Sequence, residues 1–513
     1  MARARAWDYV IAGGGAAGAV LASRLSEDPD AGVLLLEAGP DFRSAETPPA
    51  FQTRRLDMNV EHHPEFWWPD LVARRNPAQQ PSPMLRGRGV GGTSTVNALC
   101  AIRGAPDDFD RWAALGAEGW SFEEVLPSFI KLEDEHDFPD APYHGRGGPV
   151  PIYREPPEGW GAVDLAFRDA ALDLGVPWCD DHNAPDSTGL SPFAMNIRDG
   201  RRVSSNDGYL EPARERPNLT VRGGAHVDAV LLSPGSRMAG GVRLAGGEVV
   251  PLEPGGEVIV AAGSVHSPAI LMRSGIGPAA DLERLGIEVV ADLPVGRGLQ
   301  EHPMVLVALP TVESARRPPH HRVTNCIVRY TTGVEGAGRN DMMLLPNNFW
   351  VGGSWLIVTQ EHVFGRGTLT LRSPDPMVDP VVEHRLLTEE ADLARMRDAL
   401  ERIRELAGHR AFRAILDGRP AIPAAEDLPR IVTDGGHIAS TCRMGSPDDD
   451  TTVVDPDCRV LGVDGLRVID ASVMPEVVRA NSLLSVLMIA EHMATRMRSV
   501  RWRDERDPRP GGG

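Results

Sequence analysis

Three glycines near the start of the chain, Gly13-x-Gly15-x-x-Gly18, have the spacing of a diphosphate-binding turn. Each has its own physical task. Gly13 permits the tight turn, Gly15 lets a pyrophosphate approach bare backbone, and Gly18 lets the following helix pack closely on its strand. The helix start offers free N–H groups and the positive end of its dipole to the phosphates. An acid, Glu37, stands nineteen positions beyond Gly18. That matches the roughly 20-residue spacing of a carboxylate that receives a ribose hydroxyl. A carboxylate there favours an adenosine ribose with a free 2′-hydroxyl, so FAD or NAD before NADP. The motif alone does not choose between those two. A second chemistry rests on His437, in a short polar segment outside any helical or strand pattern. Imidazole has an ordinary pKa of about 6.5 and is a base at neutral pH. Taken alone, His437 reads as a structural histidine.

Regular elements must hold these residues. Trp7 to Ala12 is β-branched and aromatic-rich and predicts a strand. Ala16 to Glu27 is built from good helix formers, and Pro29 and Gly32 end it. Val33 to Glu37 is a short apolar strand buried on both faces. Residues 40–89, with Phe66-Trp67-Trp68-Pro69, are irregular and suit a lid or cofactor cover. Helices are expected at 121–133 and 163–174, a Pro- and Gly-rich boundary at 139–160, and short strands through 218–262. Glu257 to Ala262 predicts a buried strand feeding a helix from Ser267 to Ser274. Residues 312–322 read as a linker or loop, and 323–373 as alternating strands. Leu393, Met396, Leu400, Ile403 and Leu406 recur at three- and four-residue steps and place an amphipathic helix at 391–407. A strand at Leu466–Asp470, a buried helix at Ser482–Arg496 and a disordered tail at 501–513 complete the reading.

Composition narrows the function class. The chain has 513 residues, room for about three domain-sized units or one large elaborated fold. Fifty-three basic against 72 acidic residues give a net charge of −19, which opposes a phosphate-tracking nucleic-acid binder. No stretch of 18 apolar residues is present, so no transmembrane segment is expected. The five cysteines are widely spaced without a C-x-x-C, so neither a disulfide framework nor a zinc site is expected, and a cytoplasmic, reducing setting is the default. Histidine pairs such as His62-His63 and His320-His321 have no metal-binding spacing, so no metal is expected. The absence of G-x-S-x-G leaves a serine hydrolase without its nucleophile turn.

Six ordered segments then carry a resemblance. Arg86-Gly-Arg-Gly-Val-Gly-Gly-Thr-Ser-Thr-Val-Asn97 and Gly263-Ser-Val-His-Ser-Pro-Ala-Ile-Leu, the latter running on to Pro278, resemble the two signatures of the glucose–methanol–choline (GMC) oxidoreductases. Leu299-Gln-Glu-His-Pro303, His437-Ile-Ala-Ser-Thr-Cys-Arg-Met-Gly445, Val454-Asp-Pro and Gly465-Leu-Arg-Val-Ile-Asp-Ala-Ser-Val-Met-Pro475 with Asn481 complete the pattern. The likeness covers residues 7 to about 497 and is nearest to bacterial choline dehydrogenase-like and hydroxymethylfurfural oxidase-like members. It implies FAD, bound in extended form, and oxidation of an alcohol CH–OH to C=O with oxygen or another electron acceptor. By the resemblance Val90, Gly92 and Asn97 lie along the flavin, and Val227 meets the adenine end. Asp470 and Ala471 lie by the phosphate–ribitol portion, and Ser482 lies near the flavin ring. Val96 stands where covalent members carry a flavin-bonding histidine, which implies non-covalent FAD.

The resemblance also reverses the reading of His437, which matches the family's general base. Asn481 matches the position held by a second His or an Asn, where it orients the substrate oxygen; its structural alternative is a helix N-cap. Cys442 is expected to pack beside the base rather than to react. Ser440 stands where the family usually has Gly, and Gly435-Gly436 stand where relatives carry bulk, so a wider pocket or a mobile loop is expected. The fold class is α/β (α+β overall): a Rossmann-like FAD domain from separated segments plus a substrate domain with an antiparallel sheet flanked by helices. The expected limits are 6–304 for the N-terminal FAD-binding region, 305–449 for most of the substrate domain, 450–497 for a return to the FAD domain and 498–513 for a tail. Two alternatives keep this fold. One is a flavoprotein with a dedicated acceptor partner, a quinone or a peptide-derived redox cofactor. The other is non-redox hydroxynitrile lyase-type chemistry.

Overall fold

The β-branched N-terminal run forms strand Trp7–Ala12 and turns through Gly13, at φ +109°, into helix Ala16–Leu25. The chain returns as the fully buried strand Val33–Leu36. The computed structural model describes residues 7–53, 62–316, 322–350 and 352–506; His320 and His321 lie outside them. Trp7–Ala12 is flanked in parallel by Val33–Leu36 on one side and by Val249–Val260 on the other, with Ala12 opposite Leu36 and Val260. Leu219–Arg222 extends the sheet in parallel beyond Val33–Leu36. Leu466–Val468 joins in parallel on Val249–Val260, so a strand from far down the chain completes the layer. The long Val249–Val260 strand also carries Ala239–Leu244 and Val227–Leu232 antiparallel. Helix Gly263–Arg273 and the C-terminal helix from Leu483 bury against this sheet within one large apolar core.

A second layer is a six-stranded antiparallel sheet, ordered 433–434, 303–309, 353–360, 342–350, 326–330 and 189–192. Its two faces do different work, because side chains alternate along a strand. Met342, Leu344, Leu356 and Val358 face a core shared with helices Ala162–Asp173 and Glu390–Gly408. Met343 and Leu345, on the other face, join Leu99, Cys100, Phe193 and Ala480 in a small core between the two layers. The expected mixture of a parallel nucleotide-binding sheet and an antiparallel sheet backed by helices is what the chain adopts.

Two expectations are corrected. Residues 139–160 are not only a boundary: Val150–Arg154 is a strand paired with Glu133–Glu135 and Ala194–Met195. Six prolines and four glycines in that segment hid a five-residue strand. The tail expected from 498 also does not begin there. The last helix runs from Leu483 to Arg506, because helix-compatible residues continue until Pro508; residues 507–513 lie outside the described chain. All five cysteines are free, and among the described residues no helix is long and apolar enough to cross a membrane.

Candidate active site

The glycine-rich turn does what its spacing requires. A Cβ on Gly18 would sit 1.8 Å from the Gly13 carbonyl oxygen, so helix and turn close only because that position is bare. Gly92, at φ +50°, touches Gly15: its Cβ would lie 2.8 Å from the Gly15 Cα. The Gly91 amide donates to the Gly14 carbonyl at 2.8 Å. The loop 86–92 is thereby stitched across the helix start, and bare backbone from both loops faces one cleft. The centres of water-sized molecules can range over about 370 Å³ of it.

That cleft brings together most of the residues singled out in the sequence. Gly13, Gly15, Glu37, Gly92, Asn97, Val227, Asp470, Ala471, Ser482, His437 and Asn481 all line it. So do Val96, Trp67 and Trp68. Two residues stand behind the wall. Gly18 packs helix on turn, as expected, whereas Val90 is buried, its amide donating to the Pro40 carbonyl at 3.1 Å. The sequence could not show which residues of a glycine-rich loop turn inward. Glu37 closes the far end. Its carboxylate accepts from the amides of Gly14 at 2.7 Å, Gly39 at 2.8 Å and Gly89 at 2.9 Å. Asp470 accepts from the Gly263 amide and the Ser267 hydroxyl and so fixes the start of helix Gly263–Arg273.

The cleft suits a large polar ligand of the FAD kind. Trp67 Nε1, His226 Nδ1 and Ser264 Oγ are buried polar atoms of cleft-lining residues with no hydrogen-bond partner among the described residues. Such orphans call for a ligand or water. The start of helix Ala16–Leu25 has no side-chain cap and no acid in its first turn, so its amides are open to an anion.

At the other end lies the histidine. The His437 amide donates to both carboxylate oxygens of Glu301, at 2.7 and 2.8 Å, which pins the loop. Gly436, at φ +84°, makes the turn before it. Ser440 does adopt a left-handed backbone, φ +67°, at the position where glycine was anticipated, and it is buried. His437 Nε2 lies 3.2 Å from Asn481 Nδ2, and its Nδ1 lies 3.0 Å from His302 Nδ1. The Cys100 thiol, 2.8 Å from Asn481 Oδ1, fixes the amide orientation, because a thiol donates to the oxygen. The nitrogen of Asn481 therefore faces His437 and, as a donor, needs a lone pair on Nε2. The proton of neutral His437 then sits on Nδ1, directed at an accepting His302 Nδ1. Burial, then His302, then Arg86 hold His437 well below the ordinary imidazole range, so it stays neutral. Burial takes His302 down to about 3. Burial and the neighbouring Asp434 raise Glu301 to about 8.

Cys100, Glu301 and His302 carry no role in the sequence reading. His302 and Glu301 had a signal, since Leu299-Gln-Glu-His-Pro303 stood out as a motif. Cys100 had none. Cys442 is fully buried in the apolar core, and burial pushes its thiol up, so packing is its part.

Comparisons with known proteins agree with this geometry. Two GMC oxidoreductase family models match, over residues 7–304 and 364–490. The 5-(hydroxymethyl)furfural oxidase of Methylovorus sp. (strain MP688) is 38% identical, over 95% of this chain and 98% of its own. The oxygen-dependent choline dehydrogenase of Ectopseudomonas mendocina (strain ymp) is 34% identical, over 96% of this chain and 94% of its own. Among solved structures, pyridoxine 4-oxidase from Mesorbium loti superposes with a TM-score of 0.85 at 30% identity, covering 96% of this chain and 99% of that one. The chain belongs to the GMC oxidoreductases, and it is an FAD-binding flavoprotein oxidoreductase of that family.

Proposed function

We propose that the protein oxidises an alcohol, CH–OH, to an aldehyde or ketone, with His437 as general base and Asn481 orienting the oxygen. The observation that carries this is the His437–Asn481 pair in the wall of the cofactor cleft, with a basic lone pair on Nε2. An alcohol oxygen inserted between the two side chains accepts from Asn481 Nδ2 and donates to His437 Nε2. The alcohol gives up a proton from oxygen and a hydride from carbon. Bound FAD supplies the two-electron acceptor that takes the hydride. His302 Nδ1 steadies the Nδ1 proton of His437 when the ring becomes cationic, and Glu301 keeps the ring's backbone in place.

The cofactor is held, on this reading, by Gly13 and Gly15 with the helix start at the diphosphate and by Glu37 at the ribose. Val227 serves the adenine end; Gly92, Asn97, Asp470, Ala471 and Ser482 serve the remainder. Residues 305–449 supply most of the cover. Binding is non-covalent, since Val96 offers no nucleophile. The finer acceptor, oxygen or another, is a matter for parallel assays. The test is an anaerobic screen of primary and secondary alcohols on the as-isolated flavoprotein. Loss of flavin absorbance is the expected result. A flavin that no alcohol bleaches, while a cyanohydrin is cleaved, would move the protein to the lyase class. Bleaching with turnover only by quinones or a peptide-derived acceptor would identify the dedicated-partner alternative.

A further inference from the structure

Buried carboxylates of this chain commonly meet a cation or several donors. Glu133 pairs with Arg103, Glu135 with Arg154, Asp392 with Arg395 and Asp108 with Arg479. Asp164 takes donors from Gly161, Asn325 and Asn348 instead. Glu361 differs. It is 1% exposed, and its Oε2 receives no hydrogen bond among the described residues. The buried Arg329 attracts it from farther off, but Arg329 turns Nη2 to the His182 carbonyl and the Ser187 hydroxyl, and its Nε and Nη1 have no acceptor among the described residues. A carboxylate oxygen left bare in the interior is costly, and such a group asks for a functional reason.

That bare oxygen lies directly behind the base. Glu361 Oε2 is 3.7 Å from His302 Nδ1, the nitrogen that accepts the Nδ1 proton of His437 at 3.0 Å. Among the described residues, no other carboxylate stands within ion-pair distance of either ring. Glu301, the other acid at hand, is held by the amides of His437 and His302 and by Arg86 at 3.3 Å. A buried imidazole that takes a proton needs a negative charge close by, and one within about 4–6 Å favours the charged form. The charged groups that face Glu361 are Arg329 on strand Cys326–Tyr330, Asp108 on helix Pro106–Ala114, and Glu301. Asp108 is already paired with Arg479, and Asp341, whose carbonyl takes the Glu361 amide, turns its carboxylate to Arg395. Burial, outweighing Arg329, raises Glu361 to about 8, so it gives up its proton just above neutrality.

We propose that Glu361 is a positioning residue for the base: acting through His302, its carboxylate is the counter-charge for the proton that His437 takes from the alcohol. This rests on the alcohol-oxidising reading above. As the alcohol O–H bond breaks, an Nε2–H bond forms on His437; the O–H electron pair becomes the new C=O bond and the hydride leaves carbon for bound FAD. The Nδ1 proton of His437 shifts toward His302 Nδ1, and ionised Glu361 stands beside that nitrogen. The test uses the holoenzyme without oxygen, with Glu361→Gln and Glu361→Asp beside the parent. Stopped-flow flavin reduction by an alcohol is followed against pH. The parent rate should climb as pH passes through about 8, above the acid limb set by His437 itself. Glu361→Gln should lose that climb and reduce roughly tenfold more slowly on the alkaline side, with Glu361→Asp in between. The half-saturating alcohol concentration should move less than about twofold, since the alcohol does not touch Glu361. A second readout needs no turnover. With ¹⁵N-labelled histidine, the ring signals of His302 and His437 should step near pH 8 in the parent and not in Glu361→Gln. A parent without that step would overturn the proposal even if neither variant folds. A step that survives Glu361→Gln belongs to Glu301 and would overturn it as well. So would parental reduction rates in Glu361→Gln, with the alcohol reading left intact. A Glu361-dependent step in an enzyme that no alcohol reduces would keep Glu361 beside the imidazole pair and sink the alcohol reading.

Discussion

At the scale of single residues, the base is set by its hydrogen bonds more than by its type. Fifteen histidines occur, and burial first, with neighbouring cations, holds His182, His226, His266, His362, His384 and His492 below the ordinary imidazole range. His437 is distinguished by having a donor on one nitrogen and an acceptor on the other. His437→Ala should therefore slow anaerobic flavin reduction by roughly 10²- to 10⁴-fold while FAD stays bound. Stopped-flow reduction and the flavin-to-protein absorbance ratio check both halves; near-normal reduction would take the base role away. Because burial holds His437 well below 6.5, the acid limb of kcat should fall below that pH. A second residue-scale expectation concerns Val96, buried in the cleft wall without a nucleophilic atom. Acid precipitation should leave yellow FAD in the supernatant, and colour retained in the pellet would show a covalent link elsewhere.

At the scale of elements, the N-terminal unit is the part most dependent on a missing side chain. Gly18→Ala would drive a methyl group into the Gly13 carbonyl, with no flexible atom able to yield. Ordinary overpacking costs about 1–3 kcal/mol, and a backbone target exceeds that range. The variant should lose FAD on gel filtration and melt well below the parent; full cofactor retention would show that helix and turn can part without harm. This unit was fully legible in the sequence, because glycine spacing, strand and acid are local signals. The C-terminal pair was legible only through resemblance: nothing local in His437 or Asn481 announces that strand Leu466–Val468 will bring them back to the first sheet. Two failures were also local in origin. Proline masked strand Val150–Arg154, and charge masked the last turns of the final helix. Cys100 escaped altogether, since a buried thiol donor to Asn481 exists only once partners are counted in space.

At the scale of the whole molecule, buried titrating groups are numerous enough to set how stability varies with pH. His226, His362, His384 and His492 are taken to about 4, His266 and His302 to about 3, and His182 and His437 well below 6.5, each first by burial. The unfolded chain protonates these near 6.5, so below that pH it binds protons the native state refuses. Each contributes stability that is present above 6.5 and is lost as pH falls towards 4, at no more than about 1.4 kcal/mol per unit. His144, raised by Asp181 and Glu133 against its burial, offsets one of them. Burial acts oppositely on Glu301 and Glu361, both raised to about 8. Their stability is present below the ordinary 4.5 and is lost as pH rises through 8. The two sets cross near neutrality, and the histidines outnumber the glutamates. Thermal melting of the holoenzyme should therefore peak close to pH 7 and fall on both sides, more steeply towards pH 5 than towards pH 9. A midpoint that rises from pH 7 to pH 5 would mean that the buried histidines are already charged or already open to water, and with them the neutral imidazole on which the proposed base depends.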